Sequence, residues 1–237
     1  MNNRQLLLKD DPSEYIIYHP YPCQALPLQI LDIPDDGYQI VSIDPGIKHF
    51  AIRIERRFRT GFVETIYMNK FDFTEYGETS ERTGTTKVNP AILSTATSVL
   101  QQLLPYMYET RLIAIERQMG LNYKSSRIFQ HVLTFYLLHV PNFKYPCIIT
   151  DIWPKLKGKM MGAPKGLNKN GLKTWSIEKA LQILSWRNDQ AAINIIKSHR
   201  GKSKTKADDL ADTVVQIEGL SKLLGGPITP EPHSICL

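Results

Sequence analysis

Several things are scarce in this sequence, and each scarcity removes a class of protein. No run of about 18 apolar residues occurs, so no membrane-spanning helix is expected. Only three cysteines are present, Cys23, Cys147 and Cys236. They are far apart and odd in number, and no Cys/His spacing suits zinc, which argues against a disulfide framework and for a reducing compartment. Leu6-Leu7-Leu8 is too short for a secretory core, and Asp10, Asp11 and Glu14 make the segment too acidic for a transit peptide. The expected location is the cytoplasm (a viral replication site included) or the nucleus, and not outside the cell. Nor does any Ser/His/Asp or Cys/His grouping suggest a nucleophilic triad.

Acidic residues are scarce in one stretch in particular. From Lys155 to Lys206 only Glu178 and Asp189 oppose thirteen Lys or Arg residues, nearly half of the chain's 29. The net charge is +6, and this asymmetry within it suits a polyanion, above all nucleic acid. Lys155, Lys157, Lys159, Lys165, Lys169 and Lys204 are therefore expected DNA contacts. Lys124 and Arg127, near the start of a predicted helix, are expected phosphate contacts as well.

What is present reads as one core. At 237 residues with 42% apolar content, the chain suits a single soluble domain with appendages. Residues 1–37 are rich in Pro and Tyr and read as an N-terminal extension; 38–224 form the domain; 225–237, with Pro227 and Pro230, form a loose tail. Strands are expected over about 38–44, 48–58 and 61–71, with links short enough for an antiparallel meander. A helix follows from Pro90 to about Glu109, kinked or shortened by Pro105. Leu112–Glu116 reads as a buried parallel strand, and Ser125 or Ser126 can cap a helix running to about His139. Residues 146–152 form another buried strand, and 153–171 a basic loop. Helices occupy about 173–186, 189–199 and 207–224. The order is α/β, with one mixed five-stranded sheet flanked by helices.

Three acidic sites stand out. Asp44 ends an apolar strand before Pro45-Gly46, Glu116 ends another, and Asp208-Asp209-Leu210-Ala211-Asp212 opens a helix. Asp44 alone is good turn chemistry, and acids alone suit a helix N-terminus. Together, two of them in apolar surroundings beside a basic belt, they point to a cation on a phosphodiester. On a helix Asp212 shares a face with both Asp209 and Asp208, and like charges so close need a neutralising cation. Hard oxygen donors of this kind suit Mg²⁺ or Mn²⁺.

Ser42–Ala51, then Ala114–Gln118, then Lys206–Thr213 together resemble the RuvC-like Holliday junction resolvases, most of all the branch of large DNA viruses and fungal mitochondria. The resemblance spans about residues 38–222. It implies a ribonuclease-H-like fold, a homodimer and Mg²⁺-dependent paired nicking of four-way or other branched DNA by two-metal hydrolysis. It also implies that Asp44, Glu116, Asp209 and Asp212 hold metal. Helix geometry alone permits Asp208 too, while the family's Asp-x-x-Asp spacing favours Asp209. The family's functional lysines match best at Lys157 and Lys173, the latter at a helix start. His49 stands where those relatives tend to have Asn and is expected to pack or lie at the surface. Rival readings are a ribonuclease-H-like nuclease acting on RNA–DNA hybrids or flaps, and a non-catalytic nucleic-acid-binding module. An actin-like ATPase would need a second phosphate loop and an adenosine site, which are missing.

Overall fold

The computed structural model describes residues 15–18, 34–74, 88–118, 122–200 and 207–223. A turn at 34–37, closed by the Gly37 N–H donating to the Pro34 carbonyl at 2.9 Å, launches the first long strand. Gly37 has a φ of 78°, and a Cβ there would lie 2.6 Å from the Arg57 carbonyl oxygen, so the position needs glycine. Three strands follow as an antiparallel meander: β2 (Tyr38–Asp44), β3 (Phe50–Arg57) and β4 (Val63–Phe71). β5 (Thr110–Glu116) and β6 (Ile148–Ile152) extend the sheet in parallel beside β2. These are the five strands that the sequence predicts.

A sixth strand, β1 (Tyr15–Tyr18), comes from the N-terminal extension. It pairs antiparallel with β6, so the sheet order is β1-β6-β5-β2-β3-β4. The extension is thus partly built into the sheet. Periodicity could not reveal this, because four residues are too few to show a period. The tail over 225–237 lies outside the described residues.

One face of the sheet carries α1 (Pro90–Met107) and α2 (Tyr123–His139). Pro105 falls in the last turn of α1, which ends two residues later. Asn122, rather than Ser125 or Ser126, caps α2: its side chain accepts from the Ser125 N–H at 3.2 Å. Val41, Ile43, Phe50, Ile52, Ile54, Ile113 and Ile115 join the two helices in a wholly apolar core.

The other face carries α3 (Leu156–Met161), α4 (Lys169–Trp186), α5 (Gln190–Arg200) and α6 (Asp208–Leu223). The stretch expected as a basic loop therefore contains a helix, α3, which ends at Gly162 with a φ of 76°. Helix α6 packs with Leu210, Val214, Ile217 and Leu220 buried. Among the described residues no helix is long and apolar enough to cross a membrane.

The β3 alternation places Ala51, Arg53, Glu55 and Arg57 opposite Phe50, Ile52 and Ile54. Such alternation normally marks one wet face, yet Arg53, Glu55 and Arg57 are all fully buried. They are satisfied by one another. Glu55 accepts from the Arg53 and Arg57 Nε atoms, both at 2.7 Å, and from Arg187 at 3.1 Å. Glu218 on α6 accepts from Arg57 and Arg187, each at 2.5 Å. Arg53 further stands 3.6 Å from Asp189 and donates to Thr65. Among the described residues, three arginines thus meet three carboxylates, charge for charge.

Candidate active site

Strand register brings the first two acids together. In the parallel ladder Ser42 faces Ala114 and Ile43 faces Ile115, so Asp44 and Glu116 are next in line at the strand ends. Both belong to the period-2 set on the α6 side, with Ile40 and Ala114. Helix α6 crosses this face and begins above those ends, which delivers Asp208, Asp209 and Asp212 in its first turns. Its N-terminal partial positive charge favours acids there. Three elements distant in sequence therefore converge at one end of the sheet.

Three lysines meet these carboxylates. Lys157 on α3 is buried and donates to Glu116 Oε2 at 2.7 Å and to Asp212 Oδ2 at 2.5 Å. Lys173 on α4 donates to Asp208 Oδ2, and Lys70 on β4 to Asp209 Oδ2. The Ser176 hydroxyl donates to Asp212 Oδ1. His49 Nδ1 stands 3.9 Å from Asp209, beyond hydrogen-bond reach, on a half-exposed side chain. Among the described residues, five carboxylates thus share three ammonium groups.

The electrostatics follow from that imbalance. Withdrawal from water, reinforced by Glu116, lifts the Asp44 carboxyl well above its ordinary range. Burial likewise raises Glu116 against the pull of Lys157, and Asp209 against that of Lys70. Burial works against the Lys157 charge, but Asp212, Glu116 and Asp44 outweigh it and hold the ammonium protonated. Hydrogen bonding to Asp208 does the same for Lys173 against partial burial. After burial, Asp44 feels chiefly Glu116 and the opposing Lys157, and Glu116 feels chiefly Lys157; Asp212 and then Asp209 add to the upward push on both, and Asp208 faces Lys173. One buried oxygen, Asp208 Oδ1, has no hydrogen-bond partner.

The donor set fits a hard divalent cation. It is all oxygen, it carries more negative charge than its lysines offset, and the Lys157 ammonium already stands as a cation between Glu116 and Asp212. With the lysines in place, no three of its acidic or histidine side chains form a ready cage among the described residues. Asp44, Glu116, Asp209 and Asp212 could hold such an ion, and Asp208, with its unpartnered Oδ1, stands beside them.

The remaining expected residues separate by position. Lys155, Lys159, Lys165 and Lys169 are exposed along α3, the following turn and the start of α4, next to the acidic centre. Lys155 also lies 5.0 Å over the Trp153 ring. Lys157 differs: expected as a DNA contact, it turns inward because α3 buries that side against α6. Arg127 is exposed and Lys124 half-exposed on α2, while Lys204 lies outside the described residues. Lys70 and Ser176 join the site without having been anticipated. Ser176 sits three residues after Lys173 on one face of α4, a readable spacing. Lys70, in a strand of alternating polar residues, gave no such signal.

Neither a protein-family model nor a curated protein matches the sequence. Solved structures do match the fold. The yeast mitochondrial Holliday junction resolvase Ydc2 is 16% identical over 83% of this chain and 85% of that chain, with a TM-score of 0.53. RuvC of Thermus thermophilus is 14% identical over 81% of this chain and 99% of that one, with a TM-score of 0.48. The chain therefore has the ribonuclease-H-like resolvase fold that its motifs imply.

Proposed function

We propose that this resolvase-fold protein is a Mg²⁺-dependent DNA endonuclease that resolves four-way junctions by paired, symmetric nicks, acting as a homodimer. The observation that carries the reading is the excess of carboxylate over ammonium at the ends of β2 and β5, under the N-terminus of α6. The yeast mitochondrial protein that shares the fold is a Holliday junction resolvase, and the substrate class proposed here follows it.

In this reading Asp44, Glu116, Asp209 and Asp212 hold divalent ions, with Mn²⁺ able to replace Mg²⁺. A bound ion supplies activation of a water and stabilisation of the leaving 3′ oxygen. The chain's own groups do the rest. Lys173, half-buried at the rim and bonded to Asp208, holds a positive charge where phosphate enters. The exposed lysines at 155, 159, 165 and 169 bind the backbone and give steep salt dependence. Lys70 and Ser176 fix the orientation of Asp209 and Asp212 by bonding one oxygen of each.

The test uses labelled four-way junction, linear duplex, flap and RNA–DNA hybrid, each with Mg²⁺ or EDTA. Paired nicks confined to the junction and abolished by EDTA are expected. Equal cutting of duplex or hybrid would contradict junction resolution and favour a more general nuclease.

A further inference from the structure

We propose that the Lys157 ammonium fills one of two cation positions in this centre, so that without DNA the protein binds one divalent ion rather than two. The inference rests on the metal-dependent reading above and concerns this chain's own lysine. Three observations lead to it.

First, Lys157 bonds to two candidate ligands at once, Glu116 and Asp212, which come from different elements. An ion held by that pair would need the place that the ammonium has. Second, the ammonium is anchored. Its neighbour Leu156 is fully buried, and α3 sits so close to α6 that a Cβ on Gly219 would lie 3.5 Å from the Lys157 Cα. Lys155 and Lys159 on either side are exposed, so the inward turn of Lys157 alone is a feature of the packing. Third, among the described residues five carboxylates bonded or adjacent to three ammonium groups leave two negative charges, which one divalent ion neutralises. A second divalent ion beside the retained Lys157 ammonium would turn that excess into two positive charges, whereas removal of the ammonium frees its place and adds a third negative charge. Lys70 bonds to Asp209 and Lys173 to Asp208, and neither lies between Glu116 and Asp212, so both can remain in place.

The inference is tested by counting bound Mn²⁺ on the full-length protein, with free Mn²⁺ followed by electron paramagnetic resonance. Wild type should take up one ion, Lys157→Met two, and Lys157→Arg one, because arginine keeps the charge. Lys197→Met, which removes an exposed charge on α5, should match wild type. Two ions on wild type, or only one on folded Lys157→Met, would overturn the inference and leave the metal reading intact. Because two ions on wild type overturn the inference whatever the variants do, failure of the methionine variant to fold does not remove the test. No uptake by wild type would overturn the metal reading itself, and the inference with it.

Discussion

Two charged clusters lie on the same face of one sheet, and they behave in opposite ways. Beneath the C-terminal half of α6, Arg53, Arg57 and Arg187 meet Glu55, Glu218 and Asp189, charge for charge. There the arginines overcome burial and hold Glu55 far below the ordinary carboxylate range. At the N-terminal end of α6, five carboxylates face three lysines, and burial leaves Asp44, Glu116 and Asp209 raised. Burial of charge is common to both clusters, so burial by itself does not mark a site. Imbalance does. The first cluster is closed and binds elements together, while the second carries the excess of carboxylate on which the proposed cation site rests.

The largest effect is expected from breaking the balanced cluster. Glu55→Gln leaves three arginines short of a partner and should cost about 3–5 kcal/mol in urea unfolding, as for any buried pair that loses one member. Cleavage per folded molecule should change little. Asp44→Asn is the counterpart at the other end: junction cleavage should fall by a factor of at least about 10². Junction binding should persist, and metal-free stability should not fall, because a strained carboxylate is replaced by a neutral isostere.

The comparison sharpens with pH, where the two clusters differ in sign. Glu55, with a lowered pKa, contributes stability that is present above its ordinary value of 4.5 and is lost as pH falls below it. Asp44 and Glu116, with raised pKa values, have the reverse effect in the metal-free protein. The folded state holds their protons more tightly, so their contribution is present below the ordinary values of 3.8 and 4.5 and is lost as pH rises through the folded values. Asp44→Asn should therefore flatten the decline of metal-free stability above pH 3.8, and Glu55→Gln should flatten the decline below pH 4.5. Identical pH profiles for wild type and both variants would dissolve the distinction. The smallest effect belongs to an exposed pair outside both clusters. Lys144→Ala, which breaks a surface contact with Glu109, should leave the melting temperature unchanged.

Much of this was legible in the sequence, for physical reasons. Asp44 and Glu116 each close an apolar strand, and acids placed so conspicuously against their surroundings can be read without a structure. The Asp208–Asp212 run declared a helix start, and its pairing with the other two depended on topology that the β/α order supplies. The arginine network was hidden because β3 alternates apolar and polar residues, as any strand with one wet face does. Only the packing of α4, α5 and α6 shows that this face is dry. Lys157 was legible as a charge within a basic stretch, but its inward direction depends on α3, a helix of six residues. The choice between Asp208 and Asp209 was not legible, because both open the same helix turn and each is bonded by one lysine, Asp208 by Lys173 and Asp209 by Lys70.

The most direct measurement of the central claim is the melting temperature with and without Mg²⁺, for wild type, Asp44→Asn and Glu55→Gln. If the unbalanced cluster is where a cation binds, Mg²⁺ raises the midpoint of wild type through binding to the folded state. It should raise that of Glu55→Gln by a similar increment from a lower start, and that of Asp44→Asn far less. A wild-type midpoint indifferent to Mg²⁺, or an increment that survives intact in Asp44→Asn, would contradict the account.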